Sequence, residues 1–68
     1  MNEDNLNMEI RKFLKKVGIT SQRLIENEII KANREGSINN GDEIELEMEL
    51  SIKALNVKNI ISGNIKTE

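Results

Sequence analysis

The sequence predicts an α+β fold of the order ααββ: two N-terminal helices joined by a tight, helix-turn-helix-like turn and packed on a C-terminal antiparallel β-hairpin. Three observations predict it. Apolar residues recur every three to four positions up to about residue 35, the spacing of one helix face. They then alternate without a break over 43–53, the spacing of a half-buried strand. Between the two helical stretches, Gly18, Ile19 and Thr20 have the residue types of a corner.

The first helix spans 3–17. Leu6, Ile10, Phe13, Leu14 and Val17 form its apolar stripe, and Glu3 and Asp4 sit where the helix dipole favours negative charge. The opposite face carries Met8, Arg11, Lys12 and Lys15, with Lys16 at its edge. Arg11–Lys15 and Lys12–Lys16 are like-charge pairs one turn apart, each mildly destabilising. Gly18 then ends the helix in the left-handed conformation, and Ile19 packs back on Leu14. Thr20 caps the next helix, and Ile19 staples it through Leu24. On this reading Gly18→Ala costs about 1 kcal/mol, because a Cβ is forced to positive φ.

The second helix spans 21–35, with Ile25, Ile29 and Ala32 as its stripe and Leu24 beside it. Ile30 lies off that stripe, either as a contact to another chain or as a half-exposed side chain. Gly36 is the expected C-cap, and Ile38 anchors a polar loop over 37–42 whose Asn39, Asn40 and Gly41 favour a turn. The first strand, 43–53, sets Ile44, Leu46, Met48, Leu50 and Ile52 on one side and four glutamates on the other. A second strand, 57–66, places Val57, Ile61 and Ile65 in phase. A four-residue connection, 53–56, aligns Ile52 with Val57, Met48 with Ile61, Leu46 with Gly63 and Ile44 with Ile65. It also sets Glu43 against Lys66, a favourable cross-strand pair. Asn56 suits the left-handed position of that turn, and Gly63 either leaves room over Leu46 or marks a bulge.

Sixty-eight residues make one small domain, 1–68. About twenty apolar side chains are placed inside; at about 2 kcal/mol each they roughly cancel the ordering cost, so a partner is expected to add stability. There is no cysteine, histidine, tryptophan, tyrosine or proline. Disulfides and thiolate metal sites are therefore excluded, and the commonest general base and intracellular nucleophile are missing. Thr20 and Ser21 have no histidine beside them, so capping is their expected role and no enzyme is expected. The carboxylates of Glu43, Glu45, Glu47 and Glu49 stand about 7 Å apart along a strand face, too far for several to share one ion. No metal, cofactor or small-molecule ligand is expected, and the glutamate row is taken as solvated edge protection. No apolar run reaches the length of a membrane span or a signal-peptide core, so the expected location is cytoplasmic.

The net charge of −2 hides an asymmetry. Arg11, Lys12, Lys15, Lys16 and Arg23 are interrupted by no acidic residue, and Asp42 to Glu49 contains no basic one. A molecule with two electrically different sides is expected.

Met1-Asn2-Glu3-Asp4, Asn7-Met8 and the unbroken run Arg11-Lys12-Phe13-Leu14-Lys15-Lys16-Val17-Gly18-Ile19-Thr20-Ser21-Gln22-Arg23 resemble the opening of a small family of uncharacterised bacterial proteins of similar length. The resemblance is looser beyond, carried by the alternating strand and by Ile61, Gly63 and Ile65. It implies a stand-alone cytoplasmic domain and brings no activity, cofactor or site. A weaker resemblance is to helix-turn-helix DNA-binding units, with Gly18 as turn glycine and Phe13, Val17, Ile19 and Leu24 at apolar positions. Leu14 and Asn27 depart from that pattern. The resemblance implies that Ser21, Gln22 and Arg23 reach base edges while Arg11, Lys12, Lys15 and Lys16 meet phosphates. The glutamate row and the acidic net charge oppose it, and a basic helix face is commonly only solvated. The resulting expectation is a non-catalytic interaction module for a protein partner or for itself, as a homodimer. Nucleic-acid binding through the basic face is the alternative.

Overall fold

Asn2 opens the first element. Its side-chain oxygen accepts the backbone N–H of Asn5 at 3.0 Å, which satisfies one of the donors a helix start leaves free. Glu3 and Asp4 occupy the first turn and Lys31 and Arg34 the last, each sign at the end the dipole favours. Between them runs a single helix, α1, Glu3–Arg34, of 32 residues and about 48 Å at the usual rise. The computed structural model describes residues 1–68 and shows an α+β chain: α1, then an antiparallel hairpin of β1, Glu43–Ile52, and β2, Val57–Lys66. The chain divides into two units, Met1–Ser37 and Ile38–Glu68.

The two helices expected at 3–17 and 21–35 are one. Gly18, Ile19 and Thr20 lie inside α1, so Gly18 ends no helix, Thr20 caps none and Ile19 staples none. The helix-turn-helix arrangement goes with them. The physical reason is a comparison of costs. A mid-helix glycine costs only about 1 kcal/mol against alanine. Stopping at Gly18 forfeits ladder hydrogen bonds and requires a second nucleation. No proline forces a break. The two apolar stripes are also already in phase. Leu6 and Val17, Phe13 and Leu24, and Leu14 and Ile25 are each 11 residues apart, three full turns of a nearly straight helix.

The left-handed helix ending is found at Gly36, with φ +82°. Glu35 is the C-cap. Gly36 N–H donates to the Asn33 carbonyl at 3.1 Å and Ser37 N–H to the Ala32 carbonyl at 2.9 Å, the paired bonds of a Schellman motif.

The hairpin follows the expected register at every position. Ile52 pairs with Val57, Met48 with Ile61, Leu46 with Gly63, Ile44 with Ile65 and Glu43 with Lys66. The pairing is uninterrupted, so Gly63 marks no bulge. Lys53, placed at the end of the first strand from the sequence, belongs instead to the 3-10 turn Lys53–Leu55. Asn56 closes the turn at φ 52°, ψ 43°, a conformation its short polar side chain tolerates. Below β1, Asp42 N–H donates to the Asn39 carbonyl at 3.1 Å, and the Asp42 carboxylate accepts Asn39 N–H at 2.9 Å.

The expectation of some twenty apolar side chains inside is not met. No residue of the chain is buried. A lone helix and a lone two-stranded ribbon each have only one apolar face, and neither geometry surrounds a side chain by itself.

Candidate interaction surfaces

The structure offers three surfaces of distinct chemistry. The first is the apolar face of α1. Leu6, Ile10, Phe13, Leu14, Val17, Ser21, Leu24, Ile25, Ile29 and Ala32 fall on one side of the helix. Val17, Ser21, Ile25, Ile29 and Ala32 are half-buried. The N-terminal part is open, with Phe13 55% and Leu14 54% exposed, and Leu24 reaches 61%. Glu28, seven residues after Ser21 and four before Ala32, lies within this face.

The second surface is basic and lies on the far side of α1. Lys12, Lys16 and Arg23 fall near one line along the helix, with Arg11 and Lys15 on its neighbouring flank. Met8, Arg11, Lys12 and Lys15 line a shallow depression there. Lys12 Nζ stands 3.8 Å from Glu9 Oε1, with both side chains largely exposed, which is worth little. Gln22 Nε2 donates to Glu26 Oε1 at 2.8 Å one turn on. Of the seven residues expected at a binding face, Arg11, Lys12, Lys15, Lys16, Gln22 and Arg23 share the polar side of one helix. Ser21 does not, for it sits half-buried on the apolar face. Continuous winding separates Ser21 from Gln22 and Arg23, so the three are not the first turn of a recognition helix.

The third surface is the two-sided hairpin. One face carries Ile44, Leu46, Met48, Leu50 and Ile52 of β1 with Val57, Ile61 and Ile65 of β2. Ile44, Leu46 and Ile65 are half-buried, and the rest, toward the turn, are exposed. The other face sets Glu43, Glu45, Glu47 and Glu49 against Lys66, Asn64, Ser62 and Ile60. Glu43 and Lys66 are register partners, yet the carboxylate within ion-pair distance of Lys66 Nζ is that of Glu68, at 3.8 Å. Ile60 is 59% exposed among the acidic side chains. No group of acidic side chains converges closely enough to hold a metal ion.

Three contributors escaped the sequence reading. Glu28 and Ser21 interrupt the apolar face, and both follow from helical spacing, Glu28 one turn from Leu24 and Ala32 and Ser21 one turn from Val17 and Ile25. Thr67 closes the open end of the hairpin. Its N–H donates to the Asp42 carbonyl at 3.0 Å, its carbonyl accepts Gly41 N–H at 2.8 Å, and its hydroxyl lies 2.9 Å from the Asp42 carbonyl and 3.1 Å from that of Asn39. The signal was present: extending the register one step beyond Glu43 and Lys66 puts Asp42 opposite Thr67.

No helix is long and apolar enough to cross a membrane.

These features define a class: a small α+β chain made of one amphipathic helix and one two-faced hairpin, with its apolar surfaces open. The chain belongs to the family of unknown function DUF6494, whose model matches residues 1–68. The resemblance to an uncharacterised family therefore extends over the whole sequence. No curated protein and no solved structure matches it.

Proposed function

We propose that this protein is a non-catalytic self-association module whose apolar helix face is covered by another copy of the chain. One observation carries this reading: α1 presents an apolar face along its length, interrupted at Ser21 and Glu28, while no residue of the chain is buried. Exposed apolar area is the main driving force for association, and a patch of this extent on a small chain marks an interaction site. Sedimentation equilibrium in the micromolar range tests it. The wild-type chain is expected at twice its monomer mass, with Leu14→Glu shifted to monomer. A wild-type chain that is monomeric throughout contradicts the reading.

Nucleic-acid binding through the basic side is the second reading, favoured by one observation. Arg11, Lys15, Lys16 and Arg23 make no ion pair, which leaves their charges for phosphates. Without a recognition helix, such binding is read as backbone contact only, hence insensitive to sequence. A salt titration decides it. Engagement of several phosphates gives a steep fall of affinity with salt, and no binding at low salt excludes it.

A further inference from the structure

We propose that α1 pairs with α1 of a second copy in antiparallel orientation, the two helices crossing near Ile19. This orientation rests on the self-association reading and goes beyond it. Three observations converge on it.

Glu28 is the first. It stands within the apolar face of α1. In a parallel, in-register pair it meets Glu28 of the second copy across the seam, two like charges partly withdrawn from water. With residue i opposite residue 38 − i, Glu28 instead falls opposite Ile10 and next to Arg11. A guanidinium on that flank has the reach to pair with its carboxylate.

The charge sequence along the helix is the second. Residues 3–9 carry Glu3, Asp4 and Glu9, and residues 10–16 carry Arg11, Lys12, Lys15 and Lys16. Further on, residues 22–28 sum to one negative charge and residues 29–35 to one positive charge. Parallel pairing lays each block on its like, and the basic block suffers most. Antiparallel pairing about Ile19 lays the basic block on 22–28 and the acidic block on 29–35, opposite signs in both cases, felt mainly through Arg11 and Lys15 on the flank because Lys12 and Lys16 lie on the far side of α1.

The apolar face itself is the third. The same reversal maps most of it onto itself: Phe13 falls opposite Ile25, Leu14 opposite Leu24, Val17 opposite Ser21 and Leu6 opposite Ala32, while Ile29, at the edge, falls opposite Glu9. Larger side chains meet smaller ones at Val17–Ser21 and Leu6–Ala32, which permits the 8–10 Å approach typical of packed helices.

The chain contains no cysteine, so a single introduced cysteine carries one spin label per copy. Asn7→Cys and Thr20→Cys alter exposed polar positions at the two edges of the apolar face. Pulsed dipolar spectroscopy on each full-length variant then reads the distance between copies. Antiparallel pairing predicts about 35–40 Å at position 7, from twice twelve residues of rise, and a short distance at position 20. Short distances at both positions mean a parallel pair, which overturns the orientation and leaves self-association standing. Absence of dipolar coupling at both positions overturns both readings. Long distances at both positions place the interface elsewhere and overturn this one.

Discussion

Gly18 shows how one residue is judged by its surroundings. At the end of a helix it would be protected by its freedom at positive φ. Inside α1 that freedom is only a cost, and an added Cβ meets nothing within 4 Å. Gly18→Ala is therefore expected to stabilise the chain by about 0.5–1 kcal/mol, the reverse of the effect expected from the sequence, measured as a rise in urea or thermal midpoint. Gly36 behaves oppositely. Its φ of +82° makes Gly36→Ala destabilising by about 1 kcal/mol, although space is again open. Asn56 belongs with Gly36: Asn56→Ala is expected to cost about 1 kcal/mol and Asn56→Gly to be near neutral, because φ is 52° there. Urea unfolding of the four variants checks these signs together.

At the scale of elements, the register of the hairpin was legible to the residue, with the first strand drawn one residue too long at Lys53, and the helical half was not. A strand's period of two leaves little freedom: once Ile44 to Ile52 alternate, a one-residue slip turns every apolar side chain outward. The turn at Asn56 then follows from parity alone. A helix tolerates ambiguity at its interior. Gly18, Ile19 and Thr20 have the residue types of a corner, but each also fits a helix at small cost, and local type alone cannot choose. The missed signal was longer in range, the 11-residue phase between Leu6, Phe13 and Leu14 and their counterparts Val17, Leu24 and Ile25. The basic face was legible residue by residue, since it needs only helical winding. Its supposed geometry was not, because Ser21 depended on the corner. Gly63 supplies a test confined to the hairpin. It sits in continuous pairing opposite Leu46 with open space where a side chain would project. Gly63→Thr is expected to stabilise the hairpin by about 1 kcal/mol, seen as slower amide exchange along β2.

For the whole molecule, the absence of any buried residue ties folding to association if the proposed self-association holds. A chain that gains its core from a second copy has a stability set by its own concentration. Its thermal midpoint is expected to rise by about 5 °C for a tenfold increase in protein. Leu14→Glu is expected to lower the midpoint and remove that dependence, whereas Lys16→Glu, on the far side of α1, leaves the dependence in place. Association, orientation and the shared apolar face all require α1 to run unbroken through residue 18. Backbone chemical shifts and three-bond couplings at Gly18, Ile19 and Thr20 read this directly in solution. Helical values at all three are the expected result. A positive φ at Gly18 with an extended Thr20 would contradict it, splitting the face in two.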